Sequence, residues 1–195
     1  FLLSVAAAAG ATVSASRPGL ASTLGLPVQP QGGVRPGDWP FSTSELRGTR
    51  SNPHESIIGS GNVGRLKVKW TFDGAQSFNQ TTPSVVGDSV YFPANDGYVY
   101  AVDARSGTLR WKFNAWEGIQ PNPPGTFQKE INADPVGQMR GSVAYANGRI
   151  YVGDGTARMH CLDASSGEEL WRTSMDPLAG THRSKISSSP IVYDG

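Results

Sequence analysis

Cysteine is almost absent from this sequence. Of 195 residues only Cys161 is one, so no disulfide can form within the chain, and no Cys-x-x-Cys-His segment exists to attach a c-type haem. Charge is sparse as well. Seventeen Lys and Arg against 16 Asp and Glu leave a formal net charge of +1 with mixed signs, and no basic stripe offers the electrostatic footprint of a nucleic-acid binder. Helical 3.6 periodicity is missing beyond the first residues, and no apolar run is long enough for a transmembrane helix. The three histidines, His54, His160 and His182, stand in unrelated contexts without metal-ligand spacing.

What is present begins with an apolar leader. Phe1 to Ala15 is an apolar run ending in the small residues Val13-Ser14-Ala15, without an initiator Met or a basic start. It reads as the back half of a secretory signal with a cleavage site at its end, so the protein is expected to be periplasmic or secreted. Residues 16–37, carrying Pro18, Pro27, Pro30 and Pro36, read as a flexible linker. The remainder, 38–195, reads as one folded region.

The informative feature of that region is a repeat. Ala101-Val-Asp103-Ala104-Arg-Ser106-Gly107-Thr-Leu-Arg-Trp111 returns 60 residues later as Cys161-Leu-Asp163-Ala164-Ser-Ser166-Gly167-Glu-Glu-Leu-Trp171, and the same offset aligns Val90-Tyr91-Phe92 with Ile150-Tyr151-Val152. Short β-branched and aromatic runs are punctuated by Gly87-Asp88, Asn95-Asp96-Gly97 and Ser106-Gly107, then by Asn147-Gly148, Asp154-Gly155 and Ser166-Gly167. Each unit is therefore a meander of four antiparallel strands. On the third strand Val99 and Ala101, or Met159 and Cys161, share one face, with Tyr98 and Tyr100, or Arg158 and His160, on the other. Cys161 and His160 accordingly read as structural. Asp103 and Asp163 read as turn formers that bond nearby backbone, not as catalytic acids.

A unit of this kind cannot bury both faces alone, and radial stacking into a β-propeller of four-stranded blades is the usual solution. The fold class is thus all-β, an incomplete arc of two to three blades. A half unit ending Leu66-Lys-Val-Lys-Trp70-Thr-Phe72 precedes the two full ones, and Ser188 to Gly195 repeats the opening of a unit, like Thr82 to Asp88. The chain is therefore expected to be the N-terminal part of a longer propeller.

The pattern Ala-x-Asp-x-x-Ser-Gly-x-x-x-Trp resembles the tryptophan-docking motif of quinoprotein propellers, whose Trp packs between blades. Asp38-Trp39-Pro40, Thr49-Arg50-Ser-Asn52-Pro53 and Asn62 to Phe72 resemble the N-terminal lead-in of quinoprotein alcohol dehydrogenases, above all the polyvinyl-alcohol dehydrogenase branch. The resemblance covers roughly residues 38–195, matching weakly over 114–138. It implies oxidation of a small or polymeric alcohol to a carbonyl, with pyrroloquinoline quinone (PQQ) and Ca²⁺ as cofactors and an electron acceptor such as a cytochrome c.

Two cofactor-binding residues follow from the resemblance. Arg140, opening Arg140-Gly141-Ser-Val-Ala144, is similar to the family's Arg that pairs with a PQQ carboxylate, a role suited to a bidentate, always-charged guanidinium. The other reading is a surface Arg at a strand start. Ser187 stands where family members place a hydroxyl contact to the cofactor, and also reads as ordinary strand-entry polarity. Gln138 and Met139 precede Arg140 where many members carry two adjacent cysteines. The family's calcium ligands and catalytic Asp fall beyond Gly195, so no catalytic or metal residue is assigned within the chain. The Pro-rich stretch 116–137, with Glu117, Glu130 and Asp134, reads as a lid or a solvated decoration. The alternative function is a non-catalytic propeller, a scaffold of outer-membrane assembly or a ligand-sensing domain, since the docking motif occurs there too.

Overall fold

A computed structural model describes residues 33–44, 48–75, 81–117, 139–175 and 185–193. The apolar leader, residues 16–32 of the stretch read as a linker, Glu130, Asp134, Gln138, His182 and Asp194-Gly195 lie outside the described residues.

Alternating β-branched and aromatic residues between tight turns fold as the repeat predicts, into two four-stranded antiparallel sheets. The first contains β1 (Ser84–Val86), β2 (Ser89–Pro93), β3 (Tyr98–Asp103) and β4 (Leu109–Asn114). The second contains β5 (Ala144–Ala146), β6 (Arg149–Gly153), β7 (Arg158–Asp163) and β8 (Glu169–Ser174). Each is a plain meander, and the registers are superposable: Tyr91 faces Ala101 as Tyr151 faces Cys161. The bulge recurs too. The β3–β4 register slips between Ala101 and Val102, the β7–β8 register between Cys161 and Leu162. The extra residue is Arg110 in one sheet and Leu170 in the other, in each case the residue before the docking Trp.

The alternation of faces has a physical outcome. Val99 and Ala101, both fully buried, pack with Tyr91 against Ile150, Val152 and Leu162, forming one core between the two sheets. Tyr100 and Val102, on the opposite face, pack with Phe92 against Trp70 and Phe72 of the half unit. The half unit covers the first sheet on one side as the second sheet covers it on the other. Cys161 is fully buried, as its alternation with Met159 predicts.

Asp103 and Asp163 close their turns as expected. Asp103 Oδ1 accepts from the N–H groups of Arg105 and Ser106, and Asp163 Oδ1 from those of Ser165 and Ser166. The Arg110 guanidinium, 2.6 Å away, and these amides hold the Asp103 carboxyl far below the usual carboxylate range.

The joint between units is made by tryptophan. Trp70 Nε1–H donates to the Ala104 carbonyl at 3.1 Å, and Trp111 Nε1–H to the Ala164 carbonyl at 3.0 Å. Gly107 and Gly167 lie directly beneath these rings, with φ of 73° and 76°. A Cβ at either would come within 2.6 Å of the indole, so both the backbone conformation and the space require glycine.

Candidate functional site at the inner edge

β1 and β5 open their sheets and lie side by side at the inner edge of the arc. Three equivalent hydroxyl residues tie that edge together. The Thr82 N–H donates to Ser142 Oγ at 2.7 Å, and the Ser142 N–H to Ser189 Oγ at 2.9 Å. Each unit thus hands a backbone donor to the hydroxyl of the next. Ser84 Oγ–H adds a bond to the Val143 carbonyl at 2.9 Å, buried.

The lead-in runs across these strands. Trp39 pairs with Val85 through both backbone groups, at 2.6 and 2.8 Å, while the Pro40 carbonyl accepts from the Tyr145 N–H at 2.7 Å. One short strap therefore satisfies the inner strands of both sheets. Asp38 Oδ1 accepts from the Gly87 N–H at 3.0 Å, and Asn52 Nδ2–H donates to the Gly37 carbonyl at 3.2 Å, fastening the stretch around Arg50 to the strap. Val34, at the end of the stretch read as a linker, packs on the core between the sheets.

Arg140 and Ser187 stand on neighbouring inner segments. Gly141 approaches the next unit so closely that a Cβ there would sit 2.4 Å from the Ser188 carbonyl oxygen. Arg140, half-buried, and Ser187, exposed, flank that contact from either side. Met139 is fully buried in the core between the sheets.

Beside them is a cavity of about 460 Å³, lined by Trp39, Ser42, Arg50, Thr82, Ser142 and Ser189. In the sequence Trp39 and Arg50 carry only a resemblance to a lead-in segment, with nothing that places them in a site. The signal that finds them is the alignment of Thr82, Ser142 and Ser189 as successive openings of a unit.

A second polar cluster lies on the face of β7 that meets the first sheet. His160 is fully buried, its Nδ1 2.7 Å from Glu169 Oε1 and its Nε2 3.2 Å from Asp154 Oδ2, with the Phe113 ring edge-on at 5.5 Å. Asp154, also fully buried, accepts from the backbone N–H of Arg158 at 2.8 Å, from its Nε at 2.9 Å and from the Thr156 hydroxyl. The Arg158 guanidinium also reaches the Ala115 carbonyl in the first sheet. Burial pushes the Asp154 carboxyl up, but the bonds with His160 and Arg158 outweigh it and bring the group down to about 2. All the carboxylate oxygens here are spoken for within the protein, and the cluster is structural. Among the described residues no group of three or more His, Cys, Asp or Glu side chains is arranged to hold a metal ion.

Four-stranded blades joined by a repeated indole latch, with their first strands along a common inner edge, define the arc as part of a PQQ-type β-propeller. The profile of the family described as "Outer membrane protein assembly factor BamB" matches residues 58–136 and 95–195, and the chain belongs to that family of PQQ-repeat propellers. It is 31% identical over 140 residues to an alcohol dehydrogenase (quinone), dehydrogenase subunit, of Gluconobacter oxydans (strain 621H), covering 71% of this chain and 17% of the relative. It is 28% identical over 160 residues to a polyvinylalcohol dehydrogenase of Pseudomonas sp, covering 82% and 22%. The fold is similar to the crystal structure of quinohemoprotein alcohol dehydrogenase from Comamonas testosteroni, with a TM-score of 0.64 at 25% identity over 84% of this chain and 23% of that one. The chain thus spans about a fifth of the length of the relatives it matches.

Proposed function

We propose that this chain forms the first part of a PQQ-dependent alcohol dehydrogenase that oxidises an alcohol to a carbonyl. The observation that carries the reading is the Gly141–Ser188 contact, which sets Arg140 and Ser187 on adjoining inner segments of successive blades. PQQ is a planar tricarboxylate. A half-buried guanidinium and an exposed hydroxyl are the donors such a group needs, so the residues present fit it. Arg140 would orient one carboxylate as a fixed charge partner, and Ser187 would add a hydrogen bond. When bound, PQQ supplies the two-electron oxidant for the alcohol.

In this reading Ca²⁺ is held by carboxylate and carbonyl oxygens elsewhere in the propeller, an acceptor such as a cytochrome c takes up the electrons, and residues 1–15 belong to a leader that exports the protein. The quinone-linked and polyvinyl-alcohol relatives support it. The test is dye-linked alcohol oxidation by the full-length protein, with and without added PQQ and Ca²⁺. Activity that appears only with both is expected, with PQQ affinity reduced in Arg140→Ala because a carboxylate loses its charge partner. Unchanged PQQ affinity in that variant would remove Arg140 from the site.

A second reading rests on the matched family's own description, an outer-membrane assembly factor. In it the propeller is a non-catalytic scaffold or a sensing domain. Absence of PQQ binding together with inactivity across an alcohol panel would favour it.

A further inference from the structure

The cavity at the inner edge has an unusual balance of hydrogen-bonding groups. Ser142 Oγ and Ser189 Oγ each accept a backbone N–H, so each hydroxyl still has its own proton to give. Trp39 Nε1–H is shielded from solvent and meets no acceptor. Arg50 carries five N–H donors and no ion pair with a carboxylate of the described residues. Among the described residues no acidic side chain lines the cavity. The nearest in sequence, Asp38, has its two carboxylate oxygens taken by the N–H groups of Gly87 and Arg35. Arg50, Trp39, Ser142 and Ser189 thus line one space, and none of the described residues lining it is acidic.

The donors are also fixed in place. Trp39 is held by two backbone bonds to Val85, and the Arg50 stretch by the Asn52 bond to Gly37, with Arg50 itself at a φ of 55°. A buried donor without a partner costs about 1–3 kcal/mol, so a ligand that brought an acceptor to the Trp39 indole N–H would be favoured there. The cavity volume of about 460 Å³ lies in the range of small-molecule sites.

We propose that this cavity is an oxyanion site, which takes a carboxylate or phosphate group on Arg50, the Trp39 indole N–H and the hydroxyls of Ser142 and Ser189. It is separate from the place of Arg140 and Ser187. Ser142 and Ser189 each follow those residues by two positions, beyond the bends at Gly141 and Ser188. Neither Arg140 nor Ser187 lines the cavity, and the site does not depend on the alcohol dehydrogenase reading.

The experiment is calorimetric titration of the full-length protein with acetate and with inorganic phosphate, before and after saturation with PQQ. One saturable site is expected for at least one of the two anions, unaffected by PQQ and by Arg140→Ala. Arg50→Gln, an exposed position whose change leaves the fold alone, is expected to weaken that site at least about tenfold through loss of the charge-assisted bonds. Trp39→Phe keeps the ring and removes only the indole donor, for an expected loss of about three- to tenfold. Absence of saturable binding by either anion, or binding unchanged in both variants, overturns the proposal. Binding that PQQ displaces and that Arg140→Ala also abolishes overturns the separate site and assigns the donors to a larger molecule's carboxylate.

Discussion

The Ala164 carbonyl accepts two side-chain donors from the preceding sheet, Trp111 Nε1–H at 3.0 Å and the Tyr91 hydroxyl at 3.2 Å. Both of its lone pairs are used by the neighbouring unit, and the two rings lie 5.9 Å apart. This one oxygen is the anchor of the joint.

Trp111→Phe keeps an aromatic ring above Gly167 and loses the donor. It is expected to lower stability by about 1–2 kcal/mol. Trp111→Ala also empties the space over the glycine and should cost roughly 3 kcal/mol or more. Urea unfolding of the full-length protein measures both. Equal effects of the two substitutions would show that the bond, and not the ring, holds the joint.

Tyr91→Phe removes the second donor and should cost about 1 kcal/mol. Because both donors share one acceptor, Tyr91→Phe combined with Trp111→Phe should depart from the sum of the single changes. A double-mutant cycle by urea unfolding reads this directly, and strict additivity would mean that the two bonds are independent.

Gly167→Ala tests the floor of the joint. The new Cβ would stand 2.6 Å from Trp111 ring carbons at a φ of 76°. Gly148 has the same φ with nothing within 4 Å of a Cβ, so Gly148→Ala reports conformational strain alone. The expected losses are about 1 kcal/mol for Gly148→Ala and at least twice that for Gly167→Ala. Comparable melting of the two variants would refute the contact.

Asp154 gives the second blade an acid limit. Its carboxyl is held at about 2 in the fold, below the ordinary value of 3.8. A lowered carboxylate stabilises the fold above its ordinary value, and that contribution is lost as pH falls from about 4 towards 2. Asp154→Asn should therefore be less stable than wild type at neutral pH, with the gap closing through that window. Denaturant midpoints from pH 7 to 2 supply the comparison, and a gap independent of pH would remove the charge from the explanation.

Much of this was legible because the sequence repeats. Strand boundaries, the two faces of β3 and the turn roles of Asp103 and Asp163 all follow from one alignment at an offset of 60, and the docking of Trp111 from the motif's resemblance to quinoprotein propellers. What was not legible depends on contacts that no local pattern encodes. Trp39 and Arg50 reach the inner edge because the lead-in crosses β1 and β5, and nothing in the lead-in itself reports that crossing. The strand pattern marks His160 as structural without indicating its partners. Asp154 sits six residues before it, and Glu169 lies on the strand beside it. Comparing the units would have pointed there, since the second has Arg158, His160 and Glu169 where the first has Tyr98, Tyr100 and Leu109.

The latch has a sense of direction. A unit offers a bare glycine and a carbonyl on its third turn and an indole on its fourth strand, so each copy has a socket for the unit before it and a plug for the unit after it. Such a head-to-tail joint does not complement itself, and repeated at a fixed angle it comes to rest only when the circle shuts. Blade number is then a matter of the angle between seated units. A duplicated or deleted unit would leave every surviving joint intact and change only whether the last plug finds the first socket.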